Sequence, residues 1–341
     1  MRSRIISVAG CLLMALAAAV LSGCAHEQLT LWTDRAPAKT ALTAYIKTVT
    51  AKNSPDYIPV EDRIAVFDFD GTLFLETDPT YFDWSLFEHR VLEDPSYKAT
   101  DEQLAAARAS RKGKFPKLDK NRERMVAEAY RGMTFNEFYA FVRKFMAEDQ
   151  PGFNGLKRGD AYYKPMLEVI DCLRQNGFTI YVISGTEHHT MRPLTAVLRL
   201  PPAQIIGSDN TITASRQGCK DGLDYVFVNG DTLLLGGKNL VKNLQMNKVS
   251  IIAREIGKQP VLAFGNSMSD ASMLNYAISG NKYKALAFML LCDDLVREYG
   301  NQKKADQMLR ACRKYGWIPV SMRDDWKTIY GPGVTRKGTN K

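Results

Sequence analysis

Apolar residues along this chain fall into two patterns, short unbroken runs and longer stretches spaced by three and four. Ile64-Ala65-Val66-Phe67 is a run of the first kind, rich in β-branched and aromatic members. Such a run predicts a central strand buried on both faces. The second pattern fills Tyr81 to Leu92, Asp101 to Ser110, Asn121 to Arg131 and Phe135 to Ala147. Pro79, Pro95, Pro116 and Pro151-Gly152 separate those stretches, so a helical insertion is expected between two strands.

Regular alternation follows. Pro165 to Gln175 reads as a helix stopping at Asn176-Gly177, and Phe178 to Ile183 as a strand ending in Ser184-Gly185. A helix over Glu187 to Leu198, a short strand at Gln204 to Gly207 and a hairpin around Asn229-Gly230-Asp231 come next. The hairpin would pair Tyr225 to Val228 with Thr232 to Leu235. A helix over Asn247 to Ile256 leads to a strand at Val261 to Phe264, and strands at Ala285 to Leu291 and Trp317 to Ser321 complete the series. Strands alternating with helices imply an α/β fold, a parallel sheet with helices on both faces. Its expected parts are residues 61–76 and 164–325 as the core and 77–163 as the helical insertion. Residues 25–60 are expected to form a tether plus one helix, Pro37 to Ala51.

Residues 1–24 read as an export address. Arg2 and Arg4 precede the uncharged apolar stretch Ile5 to Val20, and Leu21-Ser22-Gly23-Cys24 resembles the bacterial lipoprotein box. That likeness implies cleavage before Cys24, lipidation of Cys24, and a membrane-anchored protein of the cell envelope. An uncleaved membrane helix is the competing reading; the stretch is short for a span of about 30 Å.

The 341 residues carry a formal charge of +9, and removing residues 1–23 lowers it to +7. This suits an anionic substrate or membrane surface. The basic run Arg108, Arg111, Lys112, Lys114, Lys117, Lys120, Arg122 and Arg124 contains only Phe115 as an aromatic. It lacks the stacking residues of a single-strand binder, so nucleic acid is not an expected partner, and the run is expected to be a solvated face with Asp160. The segment from Arg336 to Lys341 reads as a loose basic tail. Cys172, Cys219, Cys292 and Cys312 have no Cys-x-x-Cys spacing, and Cys292 with Cys312 is the one pairing worth considering.

Chemistry enters at the strand ends, where ligands bind in parallel sheets. Asp68 and Asp70 follow the first strand, Ser184 follows the second, and Asn266 and Asp270 follow a third. An ionised carboxylate such as Asp68 attacks phosphorus without a base, provided that a cation neutralises the approach. Asp70 is placed to give the leaving oxygen a proton and later take one from water. Ser184 offers a hydroxyl, Gly185 a close backbone approach, and Lys248, with Lys238 and Lys242 as competitors, a positive charge.

Asp68-Phe69-Asp70-Gly71-Thr72, Val182-Ile183-Ser184-Gly185, Lys248 and Gly265 to Asp270 together resemble the four motifs of the haloacid dehalogenase-like superfamily. The resemblance spans about Ile64 to Leu274 and implies a Rossmann-like core. It further implies Asp68 as nucleophile, Asp70 as acid and base, and Ser184 and Lys248 as phosphoryl-binding groups. Mg²⁺ would be held by Asp68 and the Asp70 carbonyl, with Asn266 or Asp270 completing the set. Many relatives carry Asp where this chain has Asn266. Asp70 argues for phosphoryl transfer over dehalogenation, and the insertion resembles the cap of phosphoserine phosphatase-like members. A cap favours a small phosphorylated substrate. Thr72, Gly185 and Glu76 are expected near that substrate, which would be of the phosphoserine or phosphocholine kind. Glu76 would meet an ammonium group, with Tyr81, Phe82 and Trp84 forming either a cation-binding wall or merely an apolar helix face. Glu187-His188-His189 is expected to be an exposed helix start. The alternatives to a phosphatase are a lipoprotein that binds phosphate esters without turnover, and a phosphotransferase.

Overall fold

The computed structural model describes residues 29–76 and 79–338. Its centre is a seven-stranded sheet built on β1 (Ile64–Phe67), flanked by β3 (Thr179–Glu187) and β6 (Leu262–Gly265). The short β2 (Phe153–Asn154) lies outside this sheet. With β4 (Ile205–Ala214), β5 (Leu233–Val241), β7 (Leu286–Leu291) and β8 (Ile318–Ser321), the order is β5-β4-β3-β1-β6-β7-β8. All pairings are parallel except β4 with β5. The strand period of two divides the apolar residues between faces. Ala65, Phe67, Leu262 and Phe264 join one core, while Ile64, Val66 and Ala263 join the other.

Phe67, Phe264 and Phe288 stand in register on three neighbouring strands. Their rings stack with centroids 4.3 Å and 4.8 Å apart. Burying each ring contributes about 2 kcal/mol, and the ladder gives the residue after Phe67 a stiff floor.

Helices α1 (Pro37–Thr50), α2 (Phe82–Leu92), α3 (Asp101–Ser110), α4 (Lys120–Ala129) and α5 (Phe135–Met146) sit close to their expected bounds. Thr100 with Gln103 and Thr134 with Glu137 form capping boxes at the starts of α3 and α5, and Asp119 caps α4. The core helices are α6 (Lys164–Gln175), α7 (His188–Leu194), α8 (Met246–Ile251), α9 (Ala271–Ile278) and α10 (Gln302–Tyr315). No described helix is long and apolar enough to cross a membrane.

Four expectations change. The partner of β5 is β4, not Tyr225 to Val228, because β4 continues six residues past the parallel register and turns back over a longer loop. The edge of β5 then meets the insertion, with Leu235 N donating to Met133 O at 2.9 Å and Gly132 N to Leu235 O at 2.8 Å. Residues 29–60 are no free tether: Leu29, Trp32 and Leu42 are buried, and Trp32 packs edge-on against Trp326. Arg336 belongs to β9 (Thr335–Arg336), which pairs antiparallel with β2. Cys172, Cys219, Cys292 and Cys312 are all unpaired thiols, so the 292–312 bridge does not form. Cys24 lies outside the described residues.

Candidate active site

Asp68 begins where β1 ends. Its N–H donates to Phe264 O at 2.9 Å, extending the ladder by one rung and aiming the side chain past the strand ends. The chain then turns sharply, with Leu73 N donating to Phe69 O at 2.8 Å. Gly71 takes φ of +79°, and a Cβ there would stand 1.8 Å from Asn266 Nδ2. Only glycine lets this turn pass so close to the neighbouring strand end.

Lys248 is fully buried, and its ammonium donates to Asp68 Oδ1 at 2.5 Å, Asp270 Oδ1 at 2.7 Å and Ile183 O at 2.7 Å. All three N–H bonds are engaged, which makes Lys248 a group that positions Asp68 rather than one open to a ligand. Lys238 is exposed on the edge strand, and Lys242 pairs with Glu123 at 2.8 Å, so neither competes. Gln245 ahead of α8 has φ of 54°, a sparsely occupied conformation, and its N–H is held by Ser269 O at 2.8 Å. Asp270 is fully buried; its Oδ2 accepts from Asn266 N at 3.1 Å and Ser267 N at 3.2 Å. With both oxygens occupied, Asp270 is not a cavity-facing metal ligand as expected, and it organises the loop instead.

Burial pushes the Asp68 carboxyl up to about 7, reinforced by Asp270 and opposed by Lys248. Asp70 is raised well above the carboxylate range, chiefly by burial, against the pull of a hydrogen bond from Thr186 Oγ1 at 2.6 Å. Burial alone would depress Lys248, yet Asp270 and Asp68 outweigh it and leave the ammonium above its usual value.

A cavity of about 180 Å³ opens on these groups. Asp68, Asp70, Gly185, Thr186 and Asn266 line the part beside the ends of β1, β3 and β6, here called its inner end. Glu76, Tyr81, Asp83, Leu118, Arg122 and Lys242 line the part away from those strand ends, here called its outer end. Besides Lys248 and Asp270, two more expected ligand groups are absent from the lining. Ser184 is fully buried and its Oγ accepts from Thr186 N at 3.0 Å; Thr72 is buried too, with its hydroxyl 3.4 Å from Asp68 Oδ2. Because β3 runs on to Glu187, the hydroxyl that reaches the cavity is that of Thr186.

The outer end departs further from expectation. Arg122, read as part of a solvated basic face, is 5% exposed and lies over the rings of Trp84 and Tyr81 at 5.0 Å and 5.8 Å. Arg108, Arg111, Lys112, Lys114, Lys117 and Lys120 are exposed, as is Asp160. The spacing of Arg122 from Met125, Val126 and Ala129 is the inward face of α4, and that was the signal available. Phe82 joins the apolar core rather than the aromatic pair. Glu76 accepts both oxygens' bonds from Lys304 Nζ at 2.6 Å each, a contact between residues 228 apart that local pattern could not disclose. Glu187 and His189 are buried rather than exposed: Glu187 caps α7 through Thr190 N at 2.8 Å, and His189 Nδ1 meets Tyr139 OH at 2.8 Å.

The inner end suits a hard divalent cation. Among the described residues, Asp70 Oδ1 is buried without a hydrogen-bond partner, beside Asp68 in the same cavity. The Asn266 amide is likewise unpartnered at Nδ2, and a half-turn of the amide would present its oxygen there. Oxygen donors of this kind match Mg²⁺. Among the described residues no three or more His, Cys, Asp or Glu side chains form a metal cage. An ion here would therefore rest on Asp68, the Asn266 amide, main-chain carbonyl and water.

The sequence model of haloacid dehalogenase-like hydrolases matches residues 65–275. No curated protein matches the chain. Among solved structures, a conserved functionally unknown protein from Anaerococcus prevotii DSM 20548 aligns at 13% identity and TM-score 0.50, covering 85% of this chain and 94% of its own. A protein with unknown function from Bordetella pertussis Tohama I aligns at 11% identity and TM-score 0.49, over 76% of this chain and 97% of its own. Cytosolic 5'-nucleotidase IIIB bound to cytidine aligns at 14% and TM-score 0.49, over 85% and 88%. At 13% identity the likeness to the Anaerococcus protein is one of fold alone.

Proposed function

The chain belongs to the haloacid dehalogenase-like hydrolase family, and from that premise we propose that it is a Mg²⁺-dependent phosphomonoesterase acting on a small molecule. The observation that supports this most is the pairing of a carboxylate held by an ammonium, Asp68 with Lys248 at 2.5 Å, with a second buried carboxyl, Asp70, whose hold on a proton burial strengthens.

The ionised Asp68 attacks phosphorus, and the ester oxygen departs with the proton of Asp70. Asp70, now a base, takes a proton from water, whose oxygen attacks the aspartyl-phosphate and returns Asp68 with release of phosphate. Lys248 fixes the attacking oxygen throughout, and Thr186 orients Asp70 through its hydroxyl. When bound, Mg²⁺ supplies the charge neutralisation that lets an anion approach a phosphate. The capped cavity of about 180 Å³ favours a compact metabolite over a protein or polynucleotide.

Turnover of p-nitrophenyl phosphate should vanish in Asp68→Asn and on chelation. Full activity in that variant sinks the reading, and phosphate-ester binding without release would favour a binding protein instead. Transfer to added alcohols would identify a phosphotransferase. We further propose that residues 1–24 direct export and that Cys24 is lipidated. Cys24→Ser should move the protein from the membrane to the soluble fraction; an unchanged distribution rejects the anchor.

A further inference from the structure

The outer end of the cavity carries two acidic groups, Glu76 and Asp83, and their partners decide which charge it still seeks. Glu76 is neutralised by Lys304, which reaches it from α10, outside the insertion, and its Oε1 also accepts from Tyr81 OH at 3.3 Å. Glu123 is held by Lys242. Asp83 meets Arg122 through a single contact of 3.3 Å. The aromatic faces that could hold an ammonium, those of Trp84 and Tyr81, are already covered by the Arg122 guanidinium.

Arg122 is the group with bonding capacity to spare. A guanidinium has five N–H donors. Among the described residues, that single bond to Asp83 is its one hydrogen bond to a side chain, and its Nε, at 5% residue exposure, has no partner. Leaving a buried charged donor unsatisfied is costly, so the arrangement is completed by an acceptor entering from the cavity. An oxyanion is the acceptor that a guanidinium fork binds best.

We infer that Arg122 and Lys304 together select phosphate monoesters whose leaving group carries an oxyanion, a carboxylate or a second phosphate, and disfavour those that carry an ammonium. Arg122 contacts that group, and Lys304 removes from Glu76 the charge that would attract a cation. The inference rests on the phosphatase reading of the same cavity and narrows its substrate class away from phosphocholine.

The test compares kcat/KM for phosphoglycolate, glycerol phosphate, glycerol bisphosphate and phosphocholine. The anionic pair should exceed glycerol phosphate about tenfold, the effect of one hydrogen bond to a charged group, and phosphocholine should fall below it. Which of phosphoglycolate and the bisphosphate leads separates carboxylate from phosphate recognition. Arg122→Gln should erase the anionic preference and Arg122→Lys restore part of it. Lys304→Met should raise phosphocholine relative to glycerol phosphate, and Lys304→Met with Glu76→Gln should cancel that gain. Calorimetric Kd values for the same esters on Asp68→Asn protein with Mg²⁺ distinguish the two readings. No turnover by the unaltered protein, with the affinity order kept in the variant, rejects the phosphatase alone. Equal affinities, or preference for phosphocholine in the unaltered protein, overturns the charge selection.

Discussion

Replacing Lys248 with methionine removes an ammonium from between two buried carboxyl groups while roughly keeping its volume. At the 2.5 Å and 2.7 Å separations, each attraction amounts to about 6 kcal/mol gross at an effective dielectric near 20. Desolvation of the ammonium offsets much of this, and breaking such a pair from one side costs about 3–5 kcal/mol net. The stranded Asp68 responds by binding a proton. Burial already raises its proton affinity above that of the unfolded chain, and losing the ammonium raises it further. Stability is accordingly kept at low pH and lost as pH rises through the folded values. Urea denaturation at pH 5 and pH 8 reads this directly. The variant should lose about 3–5 kcal/mol at pH 8 and clearly less at pH 5, and adding Asp68→Asn should return part of the loss. A deficit below about 1 kcal/mol at pH 8, or one independent of pH, refutes the view that the ammonium neutralises both acids.

Two further outcomes are expected. Gly71→Ala places a methyl group 1.8 Å from Asn266 Nδ2 in a left-handed turn; about 1–2 kcal/mol of stability should go, with most of the kcat for p-nitrophenyl phosphate. Wild-type kcat in the folded variant would show that Asn266 is not needed where it stands. Burial pushes Glu187 up from 4.5 to about 7, so the native state binds the extra proton and loses stability as pH climbs between those values. Glu187→Gln should flatten that dependence by roughly 3 kcal/mol, and identical pH profiles of the two proteins by thermal denaturation would contradict the burial argument.

The sheet and most helices were legible because period and punctuation are local properties. Ile64 to Phe67 and Leu286 to Leu291 are unbroken apolar runs, and Pro79, Pro95, Pro116 and Pro151 mark off the helices of the insertion. The acidic pair at 68 and 70 was legible for the same reason, being adjacent in sequence and next to a strand. What escaped was set by distance along the chain or by small extensions of an element. Four residues more of β3 exchange Ser184 for Thr186 at the cavity, and nothing near Glu76 foretells Lys304. The choice between Asn266 and Asp270 turned on Lys248, whose third bond decides which of them faces inward.

The interlocking of Trp32 with Trp326 has a kinetic consequence. Residues near 32 find their permanent neighbours only after almost three hundred more residues have been made, as Thr33 N bonds Asp325 O and Lys327 N bonds Leu31 O. Contacts of such long reach close late and slow the search. The stretch around Trp32 must therefore stay unpartnered, and open to helpers or to mishap, until the one around Trp326 has been made.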